Sequence, residues 1–539
     1  MYKCKNLLAV LVCAALTLTA AIMPVSADTR KISGFLCDIY SDHIEISGYE
    51  GYDTNVVVPG QLLGLPVTTV GKYAFQYGKN ELNETITSIT LPETVTRIGE
   101  RAFEQCKGLT GIKLPGGLKG INYGAFYGCE GLTEITIPGS VEYIGEGAFE
   151  ACSSLTTLVV ENGVTTIYNS AFWRCTSLAD IVLPDSVTSI GFGVFTNTAY
   201  YNDKANWTDN VLYVGNHLVA ADGVSGDYSV RSNTVTIAGN TFRGCTQLTG
   251  VTIPNSLIGI GQSAFNGCSS LRSIDIPNSV QTVGIYAFQN CSSLEKVTLG
   301  KNVQSIGQNT FDSCESLKSI DIPDSVQTIG NNAFLWCRSL ESVNMGNGVE
   351  TIGKSAFDNC WALTNLNMGS SVVSIGSRAF NSCAFADIEL PVSLKIISES
   401  AFRSCDDLTD VYYGGSEQDW SMITIGNYNE PLLDAKIHYN SSRPIEDPKV
   451  EGSKVEGPHI IDVTIGRKSI DVRVSYKNVP PSAKVFAVGY GEDDAFLCIA
   501  DFNNGTAVLP PEGVTKVKVM IWSSFDSMLP IAAADSLDL

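Results

Sequence analysis

The 539-residue chain holds only four histidines, His43, His217, His438 and His459, and they lie in different regions. None stands in a His-Glu-x-x-His or Cys/His spacing, and no Cys-x-x-Cys occurs, so no metal ligand is expected. No Gly-x-Ser-x-Gly elbow is present, which removes a common mark of serine hydrolases. Positive charge is scarce as well. Lys and Arg number 35 against 56 Asp and Glu, a formal net charge of −21. An acidic chain repels phosphate backbones and anionic bilayers, so nucleic acid is not an expected partner. After Ile22 no apolar run approaches the ~20 residues that a spanning helix needs, so no membrane insertion is expected. These absences leave a protein without catalytic residues, metal or cofactor, one that works by binding.

What is present begins with an address. Lys3 and Lys5 precede an apolar run from Leu7 to Ile22, and Val25-Ser26-Ala27 offers a small-residue cleavage site. Residues 1–27 therefore read as a secretory signal peptide, and the mature protein as extracellular, either free or held at the cell surface. Cys13 follows Val12, where a lipoprotein would need a small residue, so it belongs to the apolar run. Loss of the two lysines with the signal takes the charge to −21 − 2 = −23.

A 23-residue unit then recurs. Residues 132–154 read LTEITIPGSVEYIGEGAFEACSS, 271–293 read LRSIDIPNSVQTVGIYAFQNCSS, and 317–339 read LKSIDIPDSVQTIGNNAFLWCRS. Phe103, Phe126, Phe149, Phe172 and Phe195 mark the phase, and Phe242 to Phe380 resume it. Phe402 comes one residue early. The step from Phe195 to Phe242 is 47, or 23 + 24, which places a degenerate coil at 196–241. The step from Phe75 to Phe103 is 28, consistent with a short insertion near Gly78 to Glu84. A unit this short cannot bury its apolar face alone and must stack on copies of itself. The fold predicted is a mostly β solenoid of short parallel strands.

Within a unit, Leu132, Ile135 and Ile137 alternate with polar residues, as in a half-buried strand. Pro138 ends the strand because proline cannot donate to the next ladder bond. Val141 and Ile144 start a second extended piece. Gly145 is expected to turn the chain, and Ala148, Phe149 and Cys152 to face inward on one helical turn.

The L-x-x-I-x-I-P start, the Ile-Gly step and the Ala-Phe-x-x-Cys end resemble the leucine-rich repeats of the BspA-like type. The resemblance covers roughly Ile86 to Leu408, with a lead-in at Ile44 to Phe75 that looks like that family's first coil. It implies a secreted or surface protein of the kind implicated in adhesion to host matrix or to other cells.

Cysteine is the third strong signal. Cys106, Cys129, Cys152, Cys175, Cys245, Cys268, Cys291, Cys314, Cys337, Cys360, Cys383 and Cys405 each follow a repeat phenylalanine by three residues. Thr198 takes the place once, which a bridged partner would not allow. They read as free thiols in one buried column rather than as disulfides.

The organisation predicted is a signal peptide at 1–27, an N-terminal cap and first coil at 28–85, and repeats at 86–410. A cap follows at 411–440, where Trp420, Ile423, Ile425, Leu432 and Leu433 would cover the open end. Residues 441–458 are rich in Pro, Gly, Lys and Glu and read as a linker. At 459–539 seven stretches alternate apolar and polar residues between turn signals, which suggests a small antiparallel β-sandwich of immunoglobulin-like type.

Two features bear on function. Gly348-Val-Glu-Thr-Ile-Gly353-Lys354-Ser355 matches the phosphate-cradling loop pattern G-x-x-x-x-G-K-S. Ser325 to Asn332 occupies the same repeat positions, so the match is read as an accident of the repeat. The second feature is the outward residue of each first strand. Asp275, Thr298, Asp321, Asn344, Asn367 and Glu389 form a line of polar side chains about one coil spacing apart, ~5 Å. These six are the candidate ligand-binding residues. The partner expected is a protein or glycan on another cell or in extracellular matrix. The alternative is an accessory polysaccharide-binding or scaffold component of a secreted degradative system.

Overall fold

The computed structural model describes residues 28–76 and 85–442, and, by backbone alone, the strands within 459–538. The signal at 1–27, the insertion near Gly78 to Glu84 and nearly all of the linker lie outside the described residues. The chain divides into two compact units, Met1–Arg443 and Pro444–Leu539.

The first unit is a stack of repeat coils, each contributing two short strands to two separate parallel tiers. One tier is built from strands such as Glu134–Ile137, Thr157–Val160 and Asp180–Val182, paired in register at the 23-residue offset. The other uses two-residue strands such as Tyr143–Ile144 and Thr166–Ile167. In Glu134–Ile137 the Ile residues are buried and Glu134 and Thr136 exposed, as the alternation requires. The proline that ends each strand is also used: the Pro138 carbonyl accepts the Val141 N–H at 3.0 Å and closes the turn.

The Ala-Phe segment is not a helical turn, contrary to expectation. The Phe126 N–H donates to Ala148 O of the next coil at 2.7 Å, and Phe149 N–H to Ala171 O at 2.8 Å. Those donors are spent between coils and are not free for a helix. The residues two before and two after each phenylalanine also take left-handed conformations, as at Gly147 (φ 59°) and Ala151 (φ 60°). Such residues interrupt a right-handed helix.

Gly145 does not turn the chain through a positive φ. A Cβ there would lie 2.6 Å from Asn122 C and 2.7 Å from Ile121 O of the preceding coil. The repeat glycine is required by close approach of two backbones rather than by an unusual dihedral angle.

Inside, the phenylalanines stack ring on ring. Phe126 and Phe149 are 4.9 Å apart at 4°, and Phe265 and Phe288 5.2 Å apart at 3°. The column is capped at its start by Tyr49 and Phe35, at 5.6 Å and 5.1 Å steps. These come from the antiparallel strands Asp28–Ile32, Phe35–Ile39 and Ile44–Tyr49. Beside the rings runs the cysteine column, buried and unbridged at every described position. Eleven of the twelve column thiols, all but Cys245, do more than fill space. Cys152 Sγ donates to Phe126 O at 3.2 Å and Cys291 Sγ to Phe265 O at 3.2 Å, so the thiols tie adjacent coils together. Burial pushes the Cys106, Cys291 and Cys405 thiols up to about 12. A neutral, buried thiol is a poor nucleophile. Iodoacetamide should therefore label few cysteines in the native protein and most of them in guanidinium. Extensive labelling without denaturant, or mass spectrometry finding the column bridged, would contradict this arrangement.

Residues 196–241 are more than a degenerate coil. They hold a short helix, Ala199–Asn202, and an antiparallel hairpin of Val211–Val214 with His217–Ala221. All four residues of Val211–Val214 are buried. Val211 and Tyr213 enter the core that runs on to Leu432, whereas Val214 joins the core that begins at Phe35. The solenoid thus has two apolar cores that meet at the hairpin.

The far end is closed by Glu417–Ser421 and Glu430–Asp434. Ser416 and Asp419 form a reciprocal N-terminal cap of the first helix. Trp420, Ile423 and Leu432 are buried as expected, and Ile425 is half-buried. Leu433 instead stays 51% exposed, because Leu432 takes the inward position on the short helix. The Asn429 amide, reaching Phe402 N at 2.9 Å and Ser398 O at 3.0 Å, satisfies the last coil's backbone.

In the second unit the seven expected stretches are strands, joined by an eighth, Ser536–Asp538. They pair antiparallel in two sheets. One contains His459–Ile465, Ile470–Lys477 and Thr506–Leu509, and the other is built around Lys484–Tyr490 and Lys516–Trp522.

Candidate functional site

All six candidate residues lie on one face of the first unit, at outward positions of the longer strands. Asp275, Thr298, Asp321, Asn344, Asn367 and Glu389 are each exposed beside a buried Ile, Val or Leu. Parallel pairing puts Asp275 opposite Thr298, Asp321 opposite Asn344, and Asn344 opposite Asn367.

Their side chains bond to one another, which the pattern alone did not disclose. Thr298 Oγ1 donates to Asp275 Oδ1 at 2.7 Å. Asn367 Nδ2 donates to Asn344 Oδ1 at 2.8 Å, and Asn344 Nδ2 to Asp321 Oδ1 at 3.3 Å. Each amide points the same way along the ladder, so the acceptors and remaining N–H groups are held in a fixed series. Hydrogen bonds this exposed add little stability, because water competes for the same groups. Their effect is orientation.

The line is interrupted, however. Asn367 belongs to a sheet that ends with its own strand, and Glu389 to a separate sheet of Asp387–Leu390, Asp410–Tyr413 and Lys436–Tyr439. The coil between Phe380 and Phe402 is one residue short, and Phe385 enters the core edge-on to Phe380 at 5.8 Å. Asn367 Oδ1 also turns back to accept Gly369 N–H at 3.1 Å. The hydrogen-bonded ladder is therefore not continuous from Asn367 to Glu389.

Beyond the break lies a constellation that repeat reasoning missed. Tyr412 and His438 are paired in register and stacked at 4.6 Å and 11°. His438 Nε2 meets Asp410 Oδ1 at 2.7 Å, and this bond holds the Asp410 carboxyl below its usual range. The alternation of Lys436-Ile437-His438-Tyr439 was the available signal, but it sits outside the 23-residue phase.

Other sequence features resolve as structure. His217 is buried, with Nε2 donating to Pro184 O at 3.1 Å and Nδ1 accepting from Thr236 Oγ1 at 2.8 Å. Burial lowers its pKa, so it is a neutral core residue. In the phosphate-loop match at Gly348 to Ser355 the amides from Glu350 onward are already engaged. Glu350 N–H donates to Gln327 O, Gly353 N–H to Ile329 O, Lys354 N–H to Asn331 Oδ1 and Ser355 N–H to Ser377 O. Val349 and Ile352 are core residues. Trp336 and Trp361 meet edge to face at 5.8 Å, with the Arg338 guanidinium 5.2 Å and 5.0 Å from their rings. They pack between coils, away from the strand face. Among the described residues no cluster of three metal-ligating side chains occurs, and no helix is long and apolar enough to cross a membrane.

The sequence model of the BspA type leucine rich repeat region matches residues 68–202, 227–341 and 327–428, in six copies. No curated protein matches the chain. Among solved structures, a leucine rich cell surface protein of Faecalibacterium prausnitzii is 23% identical, with 74% of this chain and 97% of that one covered and a TM-score of 0.28. A leucine-rich repeat protein of Bacteroides ovatus is 22% identical over 76% and 99%, with a TM-score of 0.30. The pneumococcal vaccine antigen PcpA is 18% identical over 77% and 99%, also at 0.30.

Proposed function

The chain belongs to the BspA-type leucine-rich repeat family, and from that premise we propose that it is a secreted, non-catalytic recognition protein. It binds a ligand on another cell or in extracellular matrix along the strand face of its C-terminal coils. The observation that carries this reading is the ladder of Asp321, Asn344 and Asn367, exposed, in register and fixed by mutual hydrogen bonds. Pre-oriented polar groups lower the ordering cost of binding. The marks of a secretory signal in residues 1–27 support export. The strands of 459–538 are read as a small sandwich that docks or binds separately.

Many weak contacts along such a face act together, so losing two central ones costs far more than losing one. Asp321→Lys combined with Asn344→Lys should abolish binding to immobilised matrix proteins or cell surfaces and leave the circular dichroism spectrum unchanged. Lys354→Ala should leave binding intact. If binding survives the double change but disappears when 459–539 is deleted, recognition lies in the C-terminal unit and this reading is wrong.

A further inference from the structure

The hairpin in the 196–241 segment walls one end of the strand face. Its strands Trp207–Thr208 and Val211–Val214 are joined through Asp209 and Asn210, both left-handed at φ 51° and 62°. With the next coil's strand, Gly226–Ser229, they enclose an open cleft of about 720 Å³ lined by Lys204, Trp207, Asp209, Asn210, Asp227 and Tyr228 among others. A second depression of about 550 Å³ shares Asp227 and continues over Thr249 and Arg272 to Asp275. The two are joined at Asp227 and run along successive coils.

The lining is fixed in place. Trp207 Nε1 donates to Tyr201 O at 2.7 Å, which orients the indole, and the exposed Lys204 ammonium lies over the ring at 4.5 Å, so a ligand stacked on that face displaces the lysine. Asp227 Oδ1 accepts the Thr249 hydroxyl at 2.6 Å, and its second oxygen takes no hydrogen bond from a described residue. Glycine at 250 keeps the trough open, since a Cβ there would stand 2.8 Å from Asp227 Oδ1. Lys204 and Arg272 nearly balance Asp209, Asp227 and Asp275, so the trough does not call for a strongly charged ligand.

An aromatic surface beside fixed carboxylates and hydroxyls suits a sugar ring, whose C–H face packs on the indole while its hydroxyls donate to the acids. Spacing narrows the class. Paired strands repeat every ~4.8 Å, whereas an extended peptide advances ~3.3 Å per residue and falls out of step within a coil or two. A linear β-1,4-linked glycan advances by nearly one coil spacing per sugar. We propose that this trough holds a linear, uncharged β-1,4-linked oligosaccharide, one sugar per coil from Trp207 toward Asp275. The site goes beyond the recognition reading above and shares only Asp275 with it.

Titration calorimetry of the mature full chain with cellohexaose, xylohexaose and mannohexaose tests this, with α-linked maltohexaose as the control. At least one β-linked hexasaccharide should bind with a dissociation constant below ~1 mM, the range of a few weak contacts, and maltohexaose should not. Trp207→Ala and Asp227→Ala should each weaken binding about tenfold or more, the scale of one lost good contact, while Trp207→Phe retains most of it. The Asp321→Lys, Asn344→Lys double variant should bind the glycan normally. Absence of binding by every β-linked probe, equal binding of maltohexaose, or loss of glycan binding in that double variant would each overturn the proposal. Because matrix or cell binding is read separately, failure here leaves the recognition reading standing.

Discussion

Raising the pH from 7 to 10 under anaerobic, reducing conditions is expected to unfold the solenoid. The column holds twelve buried thiols, the thirteen described free cysteines less Cys37. Burial raises the pKa of every one that titrates in the column, to about 12 at Cys106, Cys291 and Cys405. In the unfolded chain each ionises near ~8.5. A folded-state pKa above the unfolded value gives stability that is complete below pH ~8.5 and lost as pH rises toward the folded value. One unit above ~8.5 the unfolded state gains ~1.4 kcal/mol for each thiol that stays shielded, so the column as a whole weighs on the scale of the ~5–15 kcal/mol that holds a typical domain together. The melting temperature should be flat up to about pH 8 and then fall steeply. Four adjacent column cysteines changed to alanine should lower stability at pH 7 yet reduce the alkaline slope by about a third, four of twelve groups. A melting temperature that stays level to pH 10 would show that the thiols are not shielded as described.

Phe334→Ala should be the most damaging single truncation of its kind, costing ~3–5 kcal/mol. Phe334 is fully buried, with Phe311 5.3 Å to one side and Phe357 5.0 Å to the other. No collapse can refill a gap between two rings held by their own coils. The loss should also stay local. Phe195 is the last ring of one stack and Phe242 begins the next, with the hairpin between two separate cores. In a stack where each coil touches only its neighbours, destabilisation spreads through interfaces and weakens where an interface is irregular. Hydrogen exchange should accelerate at Ile320, Ile329 and Val343 and stay unchanged at Ile135 and Ile144. Equal acceleration in both cores would mean that the hairpin transmits the stress.

The parts of this fold that repeat could be read directly, and for a physical reason. A residue type recurring at the same position in successive units faces the same neighbours in each, so Phe288 and Cys291 announce their burial by periodicity. The outward position of Asp321 and Asn344 follows from the two-residue period of a strand in the same way. Tyr412 and His438 were harder to see, because the cap that brings them together falls outside the 23-residue phase. The hairpin at Val211–Val214 was hidden because a single strand there serves two cores, and its four buried residues break the alternation that would mark it.

The sequence by itself determined the coil length, the inward columns of phenylalanine and cysteine, and the outward polar face, since each follows from local periodicity and the need of a short unit to bury one side. Only the tertiary structure decided the rest. Glycine at 145 is required by the backbone of the preceding coil. The Ala-Phe segment is a chain of turns because alternate N–H groups, as at Gly147, Phe149 and Ala151, are drawn to the following coil. Thiols serve as donors to phenylalanine carbonyls 26 residues earlier, as from Cys152 to Phe126. All three depend on distances between coils, which no single unit of the sequence contains.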